Sequence, residues 1–130
     1  MEMYLKVARP LHVLIVETDE DIRELLETLF VSQGCTVSCA SGPFEALELA
    51  KSNVPDAIFT ELIFPDINGF ELCRRLRAMP EIATKFIVAL TGFTATGVEE
   101  TILDAGFDRY LLKPVNLQFL LSLLETMKKL

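Results

Sequence analysis

Five short apolar runs, each followed by a stretch of helical period, constrain the fold of this chain more than any other feature. The first run is "HVLIV", His12 to Val16. Behind it comes "DEDIRELLETLFVSQG", where Ile22, Leu25, Leu26, Leu29 and Phe30 recur at helical spacing. Asp19 is placed to cap that helix and Gly34 to stop it. The pattern then repeats. "CTVSCA" precedes "SGPFEALELAKS", a short helix with Ser41 as its cap and Pro43 in its first turn. "DAIFTE" precedes "GFELCRRLRAM", which Pro80 stops, and "KFIVALTG" precedes "TATGVEETILDAG". "DRYLLKP" precedes a last helix, "NLQFLLSLLETMKKL".

Strands alternating with helices across short connections require right-handed crossovers, hence a mostly parallel sheet covered on both faces. Runs one, three and four are apolar throughout, as central strands are. The second alternates, Val37 and Cys39 against Thr36 and Ser38, as an edge strand with one wet face does. The expectation is a single α/β domain, a doubly wound (βα)5 sheet of flavodoxin-like order 2-1-3-4-5.

Composition narrows the function. At 130 residues, 51% hydrophobic and 24% charged, the chain fits one domain with a true core. No apolar run reaches the length of a membrane span, and "MEMYLKVARP" lacks a signal peptide's apolar centre. The expectation is a cytoplasmic protein with no membrane partner. A net charge of −7 repels phosphate backbones, so no nucleic acid is expected as a direct partner. Cys35, Cys39 and Cys73 form no metal pattern and read as reduced thiols. His12, the only histidine, opens a strand with no serine or cysteine partner in its motif, and no catalytic residue is expected.

In an open parallel sheet, function collects beyond the carboxyl ends of the strands. Those ends carry Glu17, Thr18 and Asp19, then Ser41 and Gly42, then Glu61, then Thr91 and Gly92, then Lys113 and Pro114. Strand ends are ordinarily where polar residues begin. Lys113 is harder to dismiss, because an ammonium directly after "RYLL" needs an anionic partner, and Glu61 is the candidate.

Taken together, "VLIVETDEDIRELLETLF", "IFPDINGFELCRRLR", "ALTGF" and "AGFDRYLLKPV" resemble the receiver domain of two-component response regulators. The resemblance covers residues 11–130 and leaves 1–10 as an N-terminal extension. It implies an acidic pair after strand one that, with an aspartate ending strand three, binds Mg2+. That aspartate would take a phosphoryl group from a histidine kinase. Thr91 and Lys113 match the residues that hold the phosphoryl oxygens, and Tyr110 the switch aromatic. Pro65 and Gly69 match the loop after the phosphoacceptor, and Lys113 the lysine usually joined to its proline by a cis bond.

The match departs at two chemically decisive positions. The acidic pair falls on Glu17 and Thr18, and the phosphoacceptor position falls on Glu61. Magnesium demands near-octahedral oxygen ligands at about 2.1 Å, and Thr18 offers a neutral hydroxyl. Glu61 moves its carboxylate by roughly 1.5 Å, one C–C bond. In a positioning-dominated reaction, misplacement of about 1 Å can cost about a hundredfold. The expectation is a pseudo-receiver: no phosphate accepted, no cofactor, at most weak Mg2+ at Glu17, Asp19 and Glu61, and a Glu61–Lys113 contact holding one state. Its partners would be a histidine kinase or another signalling protein. One rival is a working receiver with Mg2+-dependent phosphorylation. A flavin-binding flavodoxin is another, against which stands the acidic "ETDED" where a phosphate should sit. No GxGxxG or P-loop is present.

The last helix carries two apolar stripes. Leu117, Leu120, Leu121 and Leu124 are expected to face the core. Phe119, Leu123, Met127 and Leu130 form a second stripe, a possible protein or homodimer contact.

Overall fold

The computed structural model describes residues 9–92 and 98–129. Five strands form one parallel sheet in the order β2-β1-β3-β4-β5. They are β1 (His12–Val16), β2 (Thr36–Ala40), β3 (Ala57–Glu61), β4 (Phe86–Thr91) and β5 (Arg109–Leu112). The helices between and after them are α1 (Glu20–Ser32), α2 (Pro43–Ser52), α3 (Gly69–Arg77), α4 (Val98–Asp104) and α5 (Leu117–Lys128). The predicted start of the fourth helix at Thr94 lies outside the described residues, as does Leu130.

Side chains alternate across a strand, so each apolar run feeds two cores. Leu14, Val16, Ile58 and Ala89 point to one face and pack with Ala46, Leu72, Leu76 and Ile102 of α2, α3 and α4. Val13, Ile15, Phe59 and Val88 point to the other, against Leu26 and Phe30 of α1 and Leu120 and Leu124 of α5. Phe30 and Phe59 meet there with ring centroids 4.9 Å apart. The wet face of β2 has a specific purpose. Thr36 Oγ1 lies 2.7 Å from His12 Nδ1 and Ser38 Oγ lies 3.0 Å from His12 Nε2, so both ring nitrogens of this buried residue are satisfied. Cys73 is buried within its core, which pushes its thiol up to about 11.

Caps and boundaries follow local chemistry. Asp19 Oδ1 accepts the Ile22 N–H at 3.1 Å, and Gly34 adopts φ +87° just past the end of α1. Ser41 is not the cap of α2. Gly42 holds that position, and both the N–H and the hydroxyl of Ser41 turn to Glu45 Oε1 at 2.8 and 3.2 Å. Helix α3 ends at Arg77, ahead of Pro80, because the residue preceding a proline resists helical geometry and Arg77 is engaged elsewhere. Its guanidinium donates to the carbonyls of Lys85 (2.6 Å) and Gly106 (2.8 Å) and to Asp108 Oδ2 (2.8 Å), tying the α3–β4 and α4–β5 loops together.

Helix α5 departs from its predicted faces. Its buried residues are Leu120, Leu124 and Met127, spaced i, i+4, i+7. That spacing carries Met127 inward, to 5% exposure, so it belongs to the core and not to the outer stripe. Leu117, in the first turn, lies outside this contact at 48% exposure, and Leu121 is half-buried.

Candidate functional site

The carboxyl ends of β1, β3, β4 and the residue after β5 bring Glu17, Glu61, Thr91 and Lys113 to one rim. The peptide bond between Lys113 and Pro114 is cis. Lys113 Nζ donates to Glu17 Oε1 at 2.7 Å and to Glu61 Oε2 at 3.3 Å. The predicted Glu61–Lys113 contact is thus present, but the shorter bond goes to Glu17. Glu61 is held from the other side by Thr18, whose N–H donates to Oε1 at 2.8 Å and whose hydroxyl also hydrogen-bonds it. Glu17 Oε2 accepts the Asp19 N–H at 3.1 Å.

Lys113 touches both carboxylates, yet their affinities for a proton move apart. Burial pushes Glu17 up, and the Lys113 hydrogen bond only partly offsets it. Burial also acts on Glu61, but the Thr18 hydroxyl, Glu17, the Thr18 N–H and the Lys113 charge together outweigh it and hold Glu61 low. The exposure of the side chains, 1% for Glu17 against 11% for Glu61, agrees with that ordering. Lys113 is raised: burial opposes its charge, and Glu17 followed by Glu61 restores it.

This donor set does not fit a magnesium ion. The oxygens of Glu17 and Glu61 face an ammonium and backbone N–H groups, and Asp19 is committed to capping α1. Among the described residues, no group of three His, Cys, Asp or Glu side chains is placed to hold a metal. No buried side-chain nitrogen or oxygen among them lacks a partner. The rim is internally satisfied. A small cavity of about 70 Å³ remains beside it, lined by Glu61, Ile63, Thr91, Gly92 and Lys113.

Two contributors carry no signal in the sequence. Arg23 donates to the Glu17 carbonyl at 2.8 Å, fixing the end of β1 to α1. Thr18 acts through its backbone as much as through its side chain, and a backbone donor has no residue-type signature. Away from the rim, Tyr110 is half-buried against the α2–α3–α4 core, and its hydroxyl binds Glu99. Phe119 is 67% exposed and Leu123 half-buried. Both line a shallow cleft of about 310 Å³ with Arg109, Tyr110 and Ser122.

Comparison with known proteins decides the family. The model of the response regulator receiver domain matches residues 13–125. The chain belongs to that family. It is 35% identical to the response regulator MprA of Mycobacterium sp. (strain KMS) over 87% of its own length and 48% of that protein's. The receiver therefore spans about half the length of this relative. A two-component response regulator from Clostridium difficile superposes with a TM-score of 0.85 at 29% identity, covering 92% of this chain and 96% of that one. The receiver domain of the sensor histidine kinase PA1611 of Pseudomonas aeruginosa superposes at 0.82 with 27% identity, covering 92% and 98%. That structure carries a magnesium ion in its active-site cleft. Membership assigns this receiver to two-component signalling, and the strand order is that of the family's fold. Among the described residues, no helix is long and apolar enough to cross a membrane.

Proposed function

We propose that this domain is a cytoplasmic pseudo-receiver, which signals by protein–protein contact and neither accepts phosphate nor binds Mg2+. The observation that carries the reading is Lys113 bonded to Glu17 and Glu61 while Thr18 holds Glu61 from behind. Lys113 stands where a receiver would engage phosphoryl oxygens, and here two carboxylates already occupy it. They carry two negative charges against its single positive one. A phosphoryl group would add nearly two more. Glu61 is a partial stand-in for that group, since a carboxylate brings one charge to the same lysine. The domain is accordingly a non-enzymatic signalling module.

Its partner surface is the outer face of α5 with β5. Phe119 and Leu123 supply apolar area there, next to Tyr110 at the switch-aromatic position. A histidine kinase, another signalling protein or a second copy of the chain would dock on this face. Sedimentation at rising concentration tests self-association, and a strict monomer would leave only the other partners.

Phosphorylation is tested by incubating the domain with an acyl-phosphate donor and Mg2+ and measuring intact mass. Unchanged mass is expected. Stoichiometric addition of a phosphoryl group at Glu61 would overturn the reading and make the domain a working receiver.

A further inference from the structure

A second cleft lies at the opposite end of the sheet from Glu61. A five-residue strand separates the two ends by about 16 Å. The cleft encloses about 590 Å³, within the range of small-molecule sites, and is bounded by residues before β1, the α1–β2 turn, the start of β4 and the end of α5. Its cations are Arg9, Lys85 and Lys128, and among the described residues the only lining acid is Asp56.

That acid is already committed. Asp56 takes two hydrogen bonds from Arg9, at 2.7 and 2.8 Å, and the His12 N–H at 2.8 Å. Lys85 stands 3.8 Å from Asp56, and Lys128 stands 3.8 Å from Glu125 with a 3.2 Å bond to the Gln33 carbonyl. Each lysine has its carboxylate only at 3.8 Å, beyond hydrogen-bonding distance, and each ammonium carries three donors. Between them Pro10, Leu11, Phe86 and Met127 supply apolar wall. In a chain of net charge −7, this cleft has an excess of positive charge beside an apolar surface.

We propose that this cleft binds a small organic anion, a carboxylate, sulfonate or phosphate carried on an apolar body. The acidic group pairs with Lys85 and Lys128 while the body lies against Phe86 and Met127. The inference is independent of the reading of Glu61.

The probe is anilinonaphthalene sulfonate, an aromatic anion whose fluorescence rises on transfer to apolar surroundings. Titration of the full chain is expected to show one saturable site that weakens with salt. Removing both charge contacts with Lys85→Gln and Lys128→Gln is expected to weaken it by about tenfold or more. Phe119→Ser is expected to leave it unchanged. Absence of binding, or binding that survives the double lysine change and is lost in Phe119→Ser, would overturn the assignment. Should the lysine variant fail to fold, amide shifts on the unaltered chain decide. Changes centred on Gly34 and Lys85 support the cleft, and changes centred on Phe119 and Ser122 refute it.

Discussion

Replacing Glu61 by Asp and Thr18 by Asp together should turn the rim into a magnesium site. Shortening Glu61 by one methylene withdraws its carboxylate by about 1.5 Å. The present contacts are 2.8 Å to the Thr18 N–H and 3.3 Å to Lys113 Nζ. Both would pass beyond about 4 Å, outside hydrogen bonding. Glu61→Asp alone should therefore destabilise the domain by about 2 kcal/mol, the scale of one hydrogen bond to a charged group. Thr18→Asp alone adds a third carboxylate around a single ammonium, and it should also destabilise.

With both changes and no metal, the added carboxylate and the lost hydrogen bonds of residue 61 act together, so the double variant is the least stable of the set. Magnesium reverses the order, because it binds the carboxylates only in the folded state. At ten times its dissociation constant it adds about 1.4 kcal/mol. For a domain of this size that raises the unfolding midpoint by about 5 °C. The assay is thermal unfolding by circular dichroism with magnesium chloride against sodium chloride at equal ionic strength. A folded double variant with no magnesium-dependent rise would refute the reasoning, because the geometry would then depend on more than these two positions. An equal rise in the unaltered domain would refute it too.

Lys113→Met leaves Glu17 and Glu61 buried without their counter-charge, and should cost about 2–3 kcal/mol at neutral pH in chemical denaturation. Glu17, already above its usual value of 4.5, would then rise further, so the variant regains stability as pH falls towards that value. In the unaltered domain Lys113 is raised, so its contribution is complete below its usual 10.5 and lost as pH rises through its folded value. Its unfolding midpoint should drop at alkaline pH, and that drop should be smaller in Lys113→Met, the remainder coming from the Cys39 and Cys73 thiols, which burial raises. Gly69→Ala would place a Cβ 2.7 Å from Leu62 Cα and 2.8 Å from the Glu61 carbonyl oxygen, both backbone atoms. The loop after β3 must shift, and a loss of about 1–3 kcal/mol is expected in denaturant unfolding.

The fold was legible because a parallel strand buried on both faces reads as a continuous apolar run, and β1, β3 and β4 each have one. Strand β2 was legible for the opposite reason, since its alternation is that of an edge. Helix α5 was harder. It is apolar at 117, 119, 120, 121, 123, 124 and 127, so its own pattern does not choose the stripe that meets the sheet. Packing chose Leu120, Leu124 and Met127. Ser41 was misplaced by one position because Glu45, four residues later, competes for its hydrogen-bonding groups. At the rim, topology alone places Glu17, Glu61, Thr91 and Lys113 together. Which carboxylate the lysine prefers depends on tenths of an ångström that no spacing encodes.

That preference bears on why a longer acid and a neutral hydroxyl occur together. A receiver's rim gathers carboxylates, and something positive must sit among them. Here the compensation comes from Lys113 and from the N–H groups of Thr18 and Asp19, at the entry to α1, where the helix dipole is also positive. The extra methylene lets Glu61 reach the Thr18 N–H and Lys113 at once. A carboxylate at position 18 would instead stand against Glu61. Each departure therefore makes the other tolerable, and reversing only one should leave the rim worse off than reversing neither.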